Sequence, residues 1–138
     1  LGINLLVFSA GAEAAKVVIP AELAARIVGF VRASRPDEPT APEHVRDWVA
    51  FGASPRAAQA LALAGRARAL LHGRTTVEQA DVVALAPDIV RHRLVLNYHA
   101  SAEGIRAVDV VRRLMADHFE TPDAQPAERP FWRRLLRL

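Results

Sequence analysis

The sequence contains no cysteine in its 138 residues. That absence excludes a disulfide scaffold and every metal pattern built on paired cysteines. Aromatic residues amount to only 6%. Set against 27 alanines and frequent leucine, their scarcity points away from a β-sandwich and toward closely packed helices. Lysine occurs once, at Lys16, and the other 17 of the 18 basic residues are arginine. Arginine stays charged below pH ~12, so it holds the isoelectric point near 10.5. A net charge of +3 is still mild and identifies no partner. The longest uncharged stretch, residues 1–12, falls well short of the ~20 apolar residues of a membrane span. It also lacks the basic start of a secretory signal, so a cytoplasmic location is expected. The chain opens with Leu rather than Met, and a fragment or processed piece of a longer protein is expected.

Catalytic signatures are also missing. No GxxxxGK[ST] run is present to wrap a triphosphate, and no GxSxG or HExxH. His44, His72, His92, His99 and His118 form no i,i+4 pair on an expected helix, so they read as surface and loop histidines without a metal. Asp37 and Glu38 share a proline-rich loop, while Asp109 and Asp117 stand two helical turns apart. With no nucleophile or base beside them, these acids read as solvated faces, and no catalytic residue is expected.

What is there is a core. Apolar residues make up 51% of the chain, enough to exclude disorder. A first helix is expected from Pro20, with Leu23, Ile27, Phe30 and Val31 on one stripe. Pro36, Pro39 and Pro42 mark residues 34–42 as an exposed loop. Val45, Trp48 and Val49 can share a helical face in a short element over 43–51, with Trp48 as a packing anchor. A flexible Gly52 and an N-cap at Ser54 start the next helix, whose buried stripe is expected at Leu61, Ala64, Ala67, Leu70 and Leu71, up to a stop at Gly73. Thr76 with Gln79 reads as a capping box for a helix ending before Pro87. A short strand or hairpin is expected near 93–98, then a last helix bearing Ile105, Val108, Val111, Leu114, Met115 and Phe119. Residues 121–138 read as a Pro-rich linker and a basic amphipathic tail at 131–138. No internal repeat is found.

The segment Gly52-Ala53-Ser54-Pro55-Arg56 carries the most chemistry. Arg56 falls in the first turn of a helix, where free N–H groups and the helix dipole attract anions. Its planar fork suits phosphate oxygens. On these residues alone a helix start with nothing bound is the leading reading, ahead of a phosphate site.

The run Phe51-Gly52-Ala53-Ser54-Pro55-Arg56-Ala57 resembles the lid of MoxR-type AAA+ ATPases. The similarity continues through Ala67-Arg68-Ala69-Leu70-Leu71-His72-Gly73-Arg74, through Asp81-Val82 and Leu85-Ala86-Pro87, and through Arg91-His92-Arg93-Leu94 to Ala102-Glu103-Gly104. It covers roughly residues 17–116. The resemblance implies a small all-α helical bundle over 17–120, following a large α/β nucleotide domain that lies upstream of this chain. It implies a sensor 2 arginine reaching the γ-phosphate of ATP bound in the same subunit. Arg56 matches that position, with Ser54 and Pro55 shaping the helix start. ATP and Mg2+ are then cofactors of the full-length protein, and the chain alone requires none and hydrolyses nothing. A ring homo-oligomer acting as a chaperone on an undefined client protein is implied. Arg91, His92 and Arg93 match the family and read first as a solvated or ion-paired structural cluster, and second as a contact with a neighbouring subunit. Residues 1–16 match nothing in the family and stay unassigned. Members often carry Ser or Thr followed by Pro before the final helix, where this chain has Arg106 and Ala107. Two other classes stay open on the residues alone, a small basic module binding nucleic acid and a plain protein-interaction module. The arginines are scattered among acids, with no basic stripe on a recognition helix.

Overall fold

Pro20 fixes the chain just ahead of α2 (Ala21–Ala33), and its carbonyl accepts the Ala24 N–H at 2.9 Å, so the helix begins one residue later than expected. Leu23, Ile27, Phe30 and Val31 recur at helical spacing and are all buried. The computed structural model describes residues 11–119. The expectations for residues 1–10 and for the 121–138 tail lie outside the described residues. A short helix α1 over residues 11–15 leads into Val17, which joins the core, and into Val18, which bridges to Thr76 in parallel.

The remaining elements are α3 (Glu43–Trp48), β1 (Val49–Phe51), α4 (Pro55–Leu71), α5 (Gln79–Val90), a 3-10 turn (Arg91–Arg93), β2 (Val95–Leu96), α6 (Tyr98–Ala102) and α7 (Ala107–His118). The chain is therefore the all-α domain anticipated. Helices α2, α4, α5 and α7 pack around one core, and α3, α6 and the strands close one end. At its centre the Phe30 and Phe119 rings meet edge to face, centroids 5.5 Å apart. Leu61, Val82, Val90, Val110 and Leu114 complete it, all fully buried.

The strand expected near 93–98 is β2, but its partner is β1, not the other arm of a hairpin. Val49 pairs with Leu96 and Phe51 with Val95, antiparallel, with a bulge between. Val49 thus leaves the helical face it was expected to share with Val45 and Trp48. The Asn97 N–H reaches back to the Trp48 carbonyl at 2.9 Å, and its side chain caps α6.

Three other expectations shift. Helix α5 is capped by Glu78 with Asp81, not by Thr76 with Gln79. It also runs through Pro87 to Val90. Burial of Val82, Ala86 and Val90 on one stripe outweighs the backbone bond that proline removes. On α4 the buried stripe is Ala57, Leu61, Gly65 and Ala69, while Leu71 is 65% exposed and Ala67 is exposed. On α7 burial centres on Val110, Val111, Leu114 and Met115, and Val108 is only half-buried. That helix starts at the expected place without Ser, Thr or Pro, because the Asp109 carboxylate accepts the Arg106 N–H at 3.2 Å.

Candidate functional site

The Gly52–Arg56 segment is clamped at its base. Ser34 ends α2 and is 1% exposed, although the surrounding proline-rich segment was expected to be an exposed loop. Its hydroxyl donates to the Val31 carbonyl at 2.6 Å and accepts the Ala53 N–H at 2.9 Å. The Arg35 guanidinium donates back to the Ala53 carbonyl at 3.0 Å. Ala53 itself is fully buried. Gly52 was read as a source of flexibility, and its role is close approach: a β-carbon there would sit 2.6 Å from the Arg35 Cα. Arg35 is in turn held beside Glu38 at 3.8 Å, and Glu38 pairs with Arg32 at 2.8 Å. Hydrogen bonding from Arg32 holds the Glu38 carboxyl below its ordinary pKa. Glu38 is therefore part of the support and not a freely solvated acid.

Beyond the clamp the helix begins. Ser54 is the N-cap, extended at φ −75° and ψ 164°, and makes no side-chain cap bond. Pro55 occupies the first turn, and the Ser54 carbonyl accepts the Ala57 N–H at 2.9 Å. Arg56 is exposed and, among the described residues, has no hydrogen-bond or ion-pair partner. An exposed guanidinium at a helix N-terminus, where no acid stands in the first turn, has the charge and donors that suit an oxyanion. Ser54 and Pro55 stand at that start through backbone geometry alone.

The far end of α4 is tied by charge. Gly73, at φ +70°, lets the chain turn back so that the Arg74 N–H reaches the Ala69 carbonyl at 2.9 Å. Arg74 then grips Asp81 through two bonds of 2.7 and 2.8 Å, and Arg68 adds a third at 2.6 Å. Asp81 is fully buried. Burial alone would raise its pKa, but bonds from Arg74, the Glu78 N–H and Arg68 outweigh it and hold the carboxyl below the ordinary value. The cluster locks the α4–α5 turn and so holds the helix that carries Arg56.

The other singled-out residues are placed plainly. Trp48 packs against the core, donates to Glu103 at 3.2 Å, and carries Arg113 5.5 Å from its ring centre. Arg91, His92 and Arg93 form an exposed turn in which Arg91 lies 3.4 Å from Asp88 and Arg93 donates to the Ile89 carbonyl at 2.7 Å. Among the described residues no group of three or more His, Asp or Glu could hold a metal ion. No helix there is long and apolar enough to cross a membrane. Local sequence gave no sign of Ser34 and Arg35, because their bonds to Ala53 span 19 and 18 residues.

The AAA lid domain family model matches residues 42–114, which include Arg56 and Asp81. The chain is 44% identical over 89 residues to the chaperone MoxR1 of Mycobacterium tuberculosis, covering 64% of this chain and 24% of the relative. It is also 44% identical over 68 residues to the uncharacterised Bacillus subtilis protein YeaC, covering 49% of this chain and 21% of that one. A crystal structure from Cytophaga hutchinsonii, provisionally described as an ATPase, superposes with a TM-score of 0.72 at 33% identity, over 76% of this chain and 32% of the other. The chain thus spans between a fifth and a third of the proteins it matches.

Proposed function

The chain belongs to the AAA lid domain family, in its MoxR form, and from that premise we propose that it is the nucleotide-responsive lid of a larger ATPase. Arg56 is its sensor 2 residue, and it contacts the γ-phosphate of ATP bound by the nucleotide domain of the same subunit. The observation that carries this is the clamped helix start that leaves Arg56 exposed, and without a partner among the described residues, at an N-terminus suited to anions. The described residues fit the phosphate end of ATP and not its Mg2+, which lacks a carboxylate cluster here. Bound ATP supplies the phosphoryl group that is transferred to water. Arg56 stabilises charge on that group and moves with the lid.

The same premise gives a ring of subunits, a chaperone-like action on a client protein, and a cytoplasmic setting. We keep the lid at residues 17–120. Arg91, His92 and Arg93, exposed on one turn, are the proposed contact with a neighbouring subunit. The isolated chain, without a P-loop, hydrolyses no ATP. Arg26, Arg32, Arg68, Arg74 and Arg106 are interspersed with acids that pair with them, and this scattering of the arginines, with no basic stripe on one helix, favours the lid over a nucleic-acid module.

The test is steady-state hydrolysis by the ATPase that contains this lid. Arg56→Ala is expected to lower turnover by about 10²-fold while helical circular dichroism is unchanged. Arg56→Lys restores little, because an ammonium lacks the bidentate fork. Normal turnover by the Ala variant would remove Arg56 from the mechanism.

A further inference from the structure

Helices α3 and α7 pack together and leave a groove of about 220 Å³ lined by Glu43, His44, Asp47, Trp48 and Arg113. That is less than the ~300–1,000 Å³ of a small-molecule pocket, so the groove fits a side chain and not a whole ligand. Glu43 and Asp47 stand one helical turn apart on α3, so their side chains share a face. Both are exposed, and among the described residues neither carboxylate has an ion pair or a hydrogen bond. Asp117 joins them from the last turn of α7, 4.0 Å from the His44 Nδ1. Three carboxylates thus surround one guanidinium, that of Arg113, which lies 5.5 Å from the centre of the Trp48 ring. An aromatic ring beside carboxylates suits a guanidinium, and Arg113 already uses the ring in this way.

We infer that this groove is the docking site of residues 131–138 of the same chain, held there by their arginines. That segment reads Phe-Trp-Arg-Arg-Leu-Leu-Arg-Leu, with three arginines, two aromatics and no acid. Its charge is opposite to that of the groove, and a guanidinium between Glu43 and Asp47 pairs carboxylates that otherwise have no partner. Position selects the same chain as the source. Helix α7 ends at His118, the residue after Asp117, so the chain leaves the helix at the edge of the groove. Eleven residues, 120–130, then separate Phe119 from Phe131, a connection that reaches up to about 40 Å. Such a tether holds the segment near the groove at a concentration on the order of millimolar. Exposed ion pairs are individually weak, at about 0–1 kcal/mol, and the tether is what lets a few of them suffice. The three acids repel an anionic partner. The inference stands on α3 and α7 and does not rest on the Arg56 reading.

The chain has no cysteine and two tryptophans, so Leu138→Cys carries a single nitroxide and Trp132→Phe leaves Trp48 as the one indole. In this 138-residue chain the Trp48 indole N–H resonance is expected to be lost while the nitroxide is oxidised and to return when it is reduced. Adding Arg133→Glu and Arg134→Glu is expected to preserve the signal in both states. Glu43→Gln with Asp47→Asn, exposed and nearly isosteric, should preserve it as well. Combining the two arginine reversals with Glu43→Arg and Asp47→Arg restores attraction with the signs exchanged, and the signal should be lost again. A Trp48 resonance untouched by the nitroxide would overturn the proposal. So would an equal loss with and without the arginine reversals, which proximity along the chain explains without any pairing. Chains labelled with isotope but bearing no nitroxide are then mixed with nitroxide-bearing chains. Loss of the Trp48 signal in that mixture would make the tail of a second copy the occupant and overturn docking within one chain.

Discussion

Gly52 lies so close to Ser34 that a β-carbon on it would collide with the Ser34 carbonyl. The obstructing atoms are backbone, so no rotamer change relieves the clash. Gly52→Ala is therefore expected to cost about 1–3 kcal/mol and to tilt the start of α4 away from α2. Thermal melting of the chain should fall. Hydrolysis by the ATPase containing it should fall too, although Arg56 is untouched. An unchanged melt would mean the clamp is loose.

Leu61 and Leu71 sit on one helix with opposite exposure, 0% and 65%. Leu61→Asp buries an unpaired carboxylate at a cost of several kcal/mol, comparable to the whole stability of a small domain. Leu71→Asp leaves the fold intact. Circular dichroism melts decide it: a cooperative wild-type transition in Leu61→Asp, or loss of the transition in Leu71→Asp, would show the stripe reversed.

Asp81 makes the fold sensitive to acid. Its folded pKa lies below the unfolded one, so its contribution is fully present above about pH 4 and is lost as pH falls through the depressed folded value. Asp81→Asn is expected to cost about 2 kcal/mol near neutral pH, discounted because Arg68 and Arg74 are partly solvated. The variant should also lose part of the wild-type drop in stability below pH 4. Chemical denaturation across pH gives both numbers.

His44 produces a second pH dependence. Burial pushes its imidazole below the usual value. Asp117, 4.0 Å away, and Asp47 pull it up, while Arg113 pushes it down. Its Nε2 is buried without a hydrogen-bond partner. The unfolded chain takes up this proton first, so the His44 contribution is full above about pH 6.5 and declines as pH falls through the unfolded value toward the folded one. His44→Phe should flatten the stability profile between pH 7 and 5. An identical slope in the variant would assign it elsewhere.

Much of this was readable along the chain. The stripe of α2, the Pro55 start of α4, the turn at Gly73, the short strand near 95 and the all-α class follow from local periodicity, caps and turn residues, which act within a few positions. Arg56 was legible as a helix-start arginine, and the GASPR run with its neighbouring pieces named the family. Most failures lie where distant parts of the chain meet, while the cap of α5 is a local one between Glu78 and Asp81. Ser34 is buried by Ala53, Val49 is drawn into a strand by Leu96, and α5 crosses Pro87 because Val90 has a core to enter. Leu71 shows the same limit in reverse. Two apolar stripes on α4 look equivalent in sequence, and only packing decides which one meets the core. The sequence by itself determined where the four long helices α2, α4, α5 and α7 lie. Tertiary structure alone decided which faces are covered and how the arginine is held, because burial is a property of the neighbours a residue meets and those neighbours lie far away along the chain.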